Sequence, residues 1–295
     1  MLAYIPDITK LIFDQLDFMS QKYLKSVSKY FTIYSITNLY DNMSSNKLTD
    51  EILNLYPHCT KLNAWYNNKI TCINHLANLQ ILNASGDCAI NNNELFKLTN
   101  LTELYVGHND KITDINCLVN LRILHARSDC GIGDRGFSQL TNLIELHAEN
   151  NTKITNVNHL VKLRILNADR QCGINDWGIS KLTSLTKLDA NYNNKITDVN
   201  HMTKLRILNA MGTCGINDNG LICLVGLIAL GVRDNTQVTY VNHMKNLRIL
   251  DASGRCKITN KGLSKLTELI ELDTDGNNKI TKKIKNKNRL FKSQK

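Results

Sequence analysis

Two consecutive stretches in the middle of the chain decide its fold: LTKLDANYNNKITDVNHM (Leu185 to Met202) and LRILNAMGTCGINDNGL (Leu205 to Leu221). Both follow the pattern L-x-x-L-x-(L/A)-x-x-x-x-x-I. In a strand, side chains alternate between the two faces, so Leu188 and Ala190 should point into a core while Lys187 points to solvent. Each stretch therefore predicts one short strand followed by a turn.

The same pattern recurs along the chain in steps that alternate between 20 and 22 residues. Because a lone coil cannot bury its own apolar edge, the coils must stack on one another. Eleven pattern leucines predict about eleven coils. These leucines are Leu62, Leu82, Leu104, Leu124, Leu146, Leu166, Leu188, Leu208, Leu230, Leu250 and Leu272.

A period of this length with this leucine spacing resembles the leucine-rich repeat family. The resemblance implies an α/β fold, a solenoid with a curved parallel sheet, over residues 59–280. The 22-residue form has room for a short helix, since Asp218 and Gly220 favour a turn into one, whereas the 20-residue form has room for little more than a 3-10 turn. Residues 41–58 read as a linker and N-terminal cap, and residues 281–295 as a basic, disordered tail.

Three polar series follow the same spacing, and periodic placement favours a structural role for each. The asparagines five residues after a pattern leucine predict a buried hydrogen-bonding ladder. Members of the cysteine and histidine series lie on alternate coils, about 10 Å apart, too far for a disulfide or a shared metal ion. The cysteines therefore read as free buried thiols, which fit a reducing, cytoplasmic compartment, and the histidines as turn packing. The series are Asn67, Asn109, Asn151, Asn193, Asn235 and Asn277; Cys88, Cys130, Cys172, Cys214 and Cys256; and His75, His159, His201 and His243, with Cys117 in the place of a histidine.

Residues 1–40 lack the repeat and show apolar residues at helical spacing, which predicts a small all-helical module. This segment resembles the F-box, with one residue fewer after Asp7 than the family usually has. The residues that carry the resemblance are Ile5, Pro6, Ile8, Ile12, Phe13, Leu16, Phe18, Leu24, Val27, Ser28, Lys29 and Phe31. The order of modules is that of F-box/leucine-rich-repeat proteins, and the alternating repeat and abundant asparagine are most similar to those of giant DNA viruses of amoebae.

The formal charge of +10 is concentrated at the C-terminal end, because residues 279–295 hold eight Lys or Arg and no acid. The remaining chain carries about +2, and no basic stripe is evident in it, which argues against a nucleic-acid reader. No secretory signal or apolar run of membrane-spanning length is present. No Gly-rich phosphate loop, HExxH motif or nucleophile elbow occurs, so we expect no enzyme, no metal and no cofactor.

The resemblance implies an adaptor that docks on Skp1, and through it on a cullin, while the repeats hold a protein substrate for ubiquitin transfer. The alternatives are a plain interaction scaffold and a viral decoy that sequesters Skp1. The Skp1-binding candidates, several of which equally suit a hairpin core, are Ile5, Pro6, Ile8, Leu11, Ile12, Leu16, Leu24 and Val27. The substrate-binding candidates on the exposed concave face of the strands are Trp65, Tyr66, Tyr105, His125, Arg127, His147, Glu149, Asp169, Arg170, Tyr192, Met211 and Arg233.

One further row concerns the residue before every second pattern leucine. Strand alternation should expose these isoleucines, so the row is either an apolar binding stripe or is covered by neighbouring side chains. Its members are Ile81, Ile123, Ile165, Ile207 and Ile249.

Overall fold

The structure is a computed structural model that describes residues 38–39 and 47–281. The repeat seen in the sequence determines its architecture. Each of the eleven pattern leucines is the middle residue of a three-residue strand, as predicted. Neighbouring strands pair in parallel, and the pairing register places leucine beside leucine, for example Leu188 beside Leu208. The result is a leucine-rich-repeat-like β-solenoid with few helices. Across the described residues, no helix has the length and apolar character needed to cross a membrane.

The first of two compact units contains the described residues up to 125 together with residues 129–140. Its strands are β1 (Asn38–Leu39), β2 (Lys61–Asn63), β3 (Ile81–Asn83), β4 (Glu103–Tyr105) and β5 (Ile123–His125). Its helices are the α-helices Asp50–Leu53 and Asn92–Leu95 and the 3-10 helix Asp134–Phe137. Strand β1, which pairs with β2, lies within the 1–40 range, so the sheet reaches into that range.

The second unit contains residues 126–128 and the described residues from 141 onward. Its strands are β6 (Glu145–His147), β7 (Ile165–Asn167), β8 (Lys187–Asp189), β9 (Ile207–Asn209), β10 (Ala229–Gly231), β11 (Ile249–Asp251) and β12 (Glu271–Asp273). Its helices are the α-helix Asp176–Ile179 and the 3-10 helix Asn219–Leu221.

The short helices of the repeats occur only in the 22-residue form within the described residues, as the sequence predicts. In the helix Asp176–Ile179, the side chain of the N-cap residue Asn175 accepts a hydrogen bond from Gly178 N at 3.0 Å. A Cβ atom at position 178 would lie 2.0 Å from Thr155 O in the preceding coil. The glycine therefore allows the helix to pack directly on the backbone of the preceding coil.

The asparagine ladder is confirmed as part of the core. Asn193 Nδ2 donates to Ala168 O at 2.8 Å and to Ile174 O at 3.2 Å, both in the preceding coil. Its Oδ1 accepts from Lys195 N at 3.0 Å, and its backbone carbonyl accepts from Gly215 N of the next coil at 3.1 Å. The side chain and the backbone carbonyl of Asn193 together link three successive coils. They pair backbone groups that would otherwise be buried without partners.

The five periodic cysteines are buried thiols that form no disulfide among the described residues, as predicted. Burial raises the pKa of the Cys172 and Cys214 thiols to about 12. At the histidine positions, His201 Nε2 lies 2.9 Å from Ile179 O and His243 Nε2 lies 2.9 Å from Leu221 O, each at the end of the preceding short helix. Cys117 Sγ makes the equivalent, longer contact of 3.9 Å. His201, His243 and Cys117 therefore pack against the preceding turn, as expected, whereas His75 Nε2 is buried without a hydrogen-bond partner among the described residues.

Candidate functional site

The candidate binding surface is the side of the strands that faces away from the core, together with the third and fourth positions after the pattern leucine, which are exposed or partly exposed in most coils. In most strands the middle residue is buried and the first and third are partly exposed. The twelve substrate-binding candidates divide into three rows, numbered from the pattern leucine. Position +1 contains Tyr105, His125 and His147; position +3 contains Trp65, Arg127, Glu149, Asp169, Met211 and Arg233; position +4 contains Tyr66, Arg170 and Tyr192.

The backbone at position +4 is left-handed in every one of the eleven coils, with φ between +52° at Tyr66 and +74° at Gly276. Sequence reasoning missed this feature, although glycine occupies the position in four coils and so provided a signal. Bulky residues are uncommon in this region of conformational space. Tyr66 and Tyr192 nevertheless adopt it, at φ +52° and +59°.

In the first unit, Trp65 and Tyr66 form an exposed aromatic pair at the end of β2. Their side chains are 51% and 58% exposed, and their rings meet edge to face with centroids 5.0 Å apart. A Cβ atom at position 86 in the next coil would lie 2.8 Å from the Tyr66 ring, so Gly86 is what allows that ring to lie across the coil. Two adjacent aromatic rings held in place by the backbone are well suited to anchor a partner.

Tyr105 and His125 in the same unit are less available. Their rings stack with centroids 4.2 Å apart, and the Tyr105 hydroxyl donates to the carboxylate of Glu103. Both residues are half-buried. They form part of the surface but have less free area to offer than the Trp65–Tyr66 pair.

In the second unit, Tyr192 repeats the arrangement of Tyr66. A Cβ atom at position 212 would lie 2.2 Å from its ring, so the ring again crosses a glycine of the next coil. The guanidinium carbon of Arg170 lies 6.0 Å from the ring centroid, within cation–π distance. Both side chains are exposed.

A polar network lies beside Tyr192. Asp169 Oδ1 accepts from Asn191 N, and Asn191 Oδ1 accepts from Met211 N, both at 2.9 Å. Burial raises the pKa of Asp169, and the negative charges of Asp189 and Glu149 raise it further against the lowering effect of the Asn191 hydrogen bonds. Glu149 Oε2 is buried and, among the described residues, has no hydrogen-bond partner. The network therefore joins the strand ends of neighbouring coils beside Tyr192.

The remaining candidates of the second unit are held by carboxylates. His147 Nε2 lies 2.6 Å from Glu145 Oε1. Arg127 and Arg233 form long ion pairs of 3.7 Å with Glu149 and Asp234 respectively. Sequence reasoning did not identify the carboxylate partner of His147 or Arg233, because each depends on side-chain orientation rather than on spacing.

The predicted isoleucine row is not covered by its neighbours. Ile207 and Ile249 are exposed, and Ile81, Ile123 and Ile165 are partly exposed at the first position of their strands. The covered alternative is therefore wrong, and the row contributes apolar area to the strand surface. The eight Skp1-binding candidates, Ile5 to Val27, lie outside the described residues, as do residues 282–295 of the basic tail.

Comparison with known proteins agrees with this architecture. A model described as Leucine Rich repeat matches residues 97–115. An internalin (InlF) from Listeria monocytogenes is similar over 93% of this chain and 79% of its own, with 24% identity and a TM-score of 0.60. The yeast complex of Rad7 and Elc1 contains a chain similar over 94% of this chain and 90% of its own, with 16% identity and a TM-score of 0.51.

The TLR13–ssRNA13 complex gives a match over 79% of this chain and 37% of that chain, with 17% identity and a TM-score of 0.54. No curated protein sequence matches the chain. At these identities the structural matches concern the fold alone. The repeats, the family match and the solved structures together assign the chain a leucine-rich-repeat-like solenoid fold, a type of scaffold that offers extended surfaces for protein–protein interaction.

Proposed function

We propose that the chain is a protein-binding adaptor that anchors its partner at the strand ends, with the exposed rings of Trp65, Tyr66 and Tyr192. The observation that carries this proposal is the position +4 geometry. Each of the two tyrosines adopts a left-handed backbone and lies across a glycine of the next coil. The left-handed backbone recurs in every coil, so what distinguishes the two tyrosines is an exposed aromatic ring over a glycine, and aromatic rings are common anchors of an interface.

Site-specific crosslinking tests the location of the binding surface. A photoreactive benzoylphenylalanine placed at Tyr66 or Tyr192 should crosslink to the same partner protein in cells that express the full chain. The matched controls are Trp177 and Tyr240, which are exposed aromatic residues outside the three rows. Equal crosslinking at all four positions would contradict the proposal, because the strand ends would then have no preference over the rest of the surface.

We further propose that the partner is a substrate presented to a ubiquitin ligase of the Skp1–cullin type, in a reducing cytoplasm. The support is the F-box resemblance of the segment from Ile5 to Phe31 and its position ahead of the repeats. Buried cysteines in the thiol form suit a reducing compartment. A chain of similar fold occurs in the yeast Rad7–Elc1 complex, where two different proteins assemble, which is consistent with an adaptor role.

Co-elution of the full chain with purified Skp1 tests this finer proposal. Leu16→Glu should abolish co-elution, since it puts a charge among the apolar docking candidates. A Tyr66→Ala/Tyr192→Ala variant should retain Skp1 and lose the strand-end partner. Undiminished co-elution of Leu16→Glu would refute the F-box assignment and leave the strand-end site standing. In a pull-down of the full chain from cells, recovery of a cullin together with Skp1 would favour a ligase, and recovery of Skp1 without a cullin would favour the decoy.

A further inference from the structure

A second exposed surface of the second unit lies on the segments that precede its strands, away from positions +1 to +4. We call it the basic edge and define it as residues 141–144, 161–164, 183–186, 203–206, 225–228, 245–248 and 267–270. Its acidic content is confined to Glu268. Its basic residues are all exposed, and they are Lys162, Arg164, Lys204, Arg206, Lys245 and Arg248. The near-neutral total charge of the repeats conceals this local concentration.

The arginines of the edge recur at one structural position, immediately before β7, β9 and β11. Within the described part of the chain, no carboxylate lies within ion-pair distance of Arg164, Arg206 or Arg248. Adjacent parallel strands are about 4.8 Å apart, so arginines on alternate coils are about 10 Å apart. The edge therefore presents a row of unpaired positive charges at a regular interval.

Arg206 is held in place rather than free. Its Nη1 donates to Gly226 O at 3.1 Å and to Leu205 O at 3.3 Å. A Cβ atom at position 226 would lie only 2.4 Å from Nη1, so Gly226 is what allows the guanidinium to rest on the backbone of the next coil. A guanidinium that is fixed in this way has less conformational entropy to lose when it binds a carboxylate.

Isoleucine alternates with arginine from Arg206 onward, whereas Thr186 occupies the coil between Arg164 and Arg206. Ile228 lies in the coil between Arg206 and Arg248, and Ile270 lies in the coil after Arg248. Their side chains are 39% and 51% exposed. A groove of about 540 Å³ separates the two arginines, and its lining includes Ile228 and Glu268. Exposed isoleucine beside arginine suits a protein partner. The edge segments contain no aromatic side chain on which the bases of a single-stranded nucleic acid could stack.

We propose that the basic edge binds an extended acidic segment of a partner protein that carries a carboxylate at every third residue and apolar residues between. A polyproline II helix rises about 3.1 Å per residue and completes a turn in three residues, so such carboxylates fall about 9.3 Å apart on one face. That interval matches the arginine spacing of about 10 Å. This second surface does not depend on the strand-end site.

Fluorescence anisotropy with the full chain tests the proposal. The probe is a labelled (Glu-Pro-Leu)₄ peptide, and the control peptide has the same composition with its four glutamates consecutive. The spaced peptide should bind more tightly. Arg206→Glu/Arg248→Glu should weaken its binding about tenfold or more, because two attractive pairs become repulsive. Lys257→Glu/Lys261→Glu makes the same charge change at exposed residues away from the edge and should change binding little.

A neutral variant separates geometry from charge. Gly226→Ala should displace the Arg206 guanidinium and weaken binding of the spaced peptide with net charge unchanged. The proposal is overturned by equal binding of the two peptides, by equal losses in the two charge-reversal variants, or by no saturable binding. Tighter binding of a 12-nucleotide oligothymidylate at the same edge would overturn it in favour of a nucleic-acid surface. Loss of the strand-end partner in Tyr66→Ala/Tyr192→Ala should leave peptide binding intact.

Discussion

Replacing Asn193 by alanine should destabilise the second unit by about 3 kcal/mol. The substitution removes the two bonds from Nδ2 to Ala168 O and Ile174 O and the bond that Oδ1 accepts from Lys195 N. Each such bond contributes about 1 kcal/mol net, and partners left buried without a bond cost at least as much. In a unit of this size, a change of 3 kcal/mol lowers Tm by about 6–12 °C.

Thermal unfolding followed by circular dichroism checks the magnitude, and the neighbouring residue provides the control. Asn194 is exposed, and Asn194→Ala should change stability by less than about 0.5 kcal/mol. Asn193→Asp keeps the shape and the acceptor but loses both donated bonds, so at neutral pH it should be at least as destabilising as alanine. If Asn193→Ala behaved like Asn194→Ala, the ladder would be incidental to stability.

Three further predictions concern the glycine positions and the buried thiols. Gly212→Ala should destabilise the fold more than Gly276→Ala in urea unfolding. Both residues have a left-handed backbone, but only at position 212 does a neighbour, the Tyr192 ring, lie within 3 Å of the added Cβ. Equal losses of stability in the two variants would show that the ring moves away freely. Native alkylation followed by mass spectrometry should modify the exposed Cys223 well before the buried Cys214, and simultaneous labelling would contradict the assigned burial. Burial raises the pKa of the Cys214 thiol from 9.0 to about 12, above its value in the unfolded chain. The unfolded chain therefore loses this proton at a lower pH than the folded protein does. The contribution of the thiol to folding stability is complete below pH 9 and is lost as the pH rises from 9 to about 12. The urea midpoint should therefore fall above pH 9, and it should fall less in Cys214→Ala.

The fold could be predicted because burial acts on every coil in the same way. A residue such as Leu188 must be apolar whatever its neighbours are, so its period survives in the sequence and identifies the strand. The same reasoning identified the asparagine ladder, since a polar group at a buried position requires bonded partners. Division of the repeats into two compact units left no comparable signal, because the pattern leucines continue through residues 124 to 146 without interruption.

The strand-end site could be predicted only in part, because its geometry depends on pairs of coils. The sequence analysis included Tyr66 and Tyr192 among the exposed candidates, and both are exposed, although strand alternation alone would turn position +4 toward the core. The crossing of each ring over a glycine needs knowledge of the left-handed backbone at position +4, and glycine appears there in only four of the eleven coils. The basic edge was missed for a different reason. Charge was summed along the chain, whereas Arg164, Arg206 and Arg248 act through their common position in the fold.

The alternation of two coil types ties these surfaces together. The 20-residue coil supplies the ladder asparagine, and in two of these coils it also supplies a left-handed tyrosine, Tyr66 or Tyr192. The 22-residue coil that follows supplies the glycine beneath the tyrosine ring. Three of the 22-residue coils also supply the arginines of the basic edge, which are Arg164, Arg206 and Arg248. The ladder asparagine and the edge arginine therefore recur every two coils, about 10 Å, while the core repeats in every coil, about 5 Å. A partner that recognises the basic edge must match the two-coil interval, so inserting a single coil between two arginines should disrupt edge binding while preserving the core.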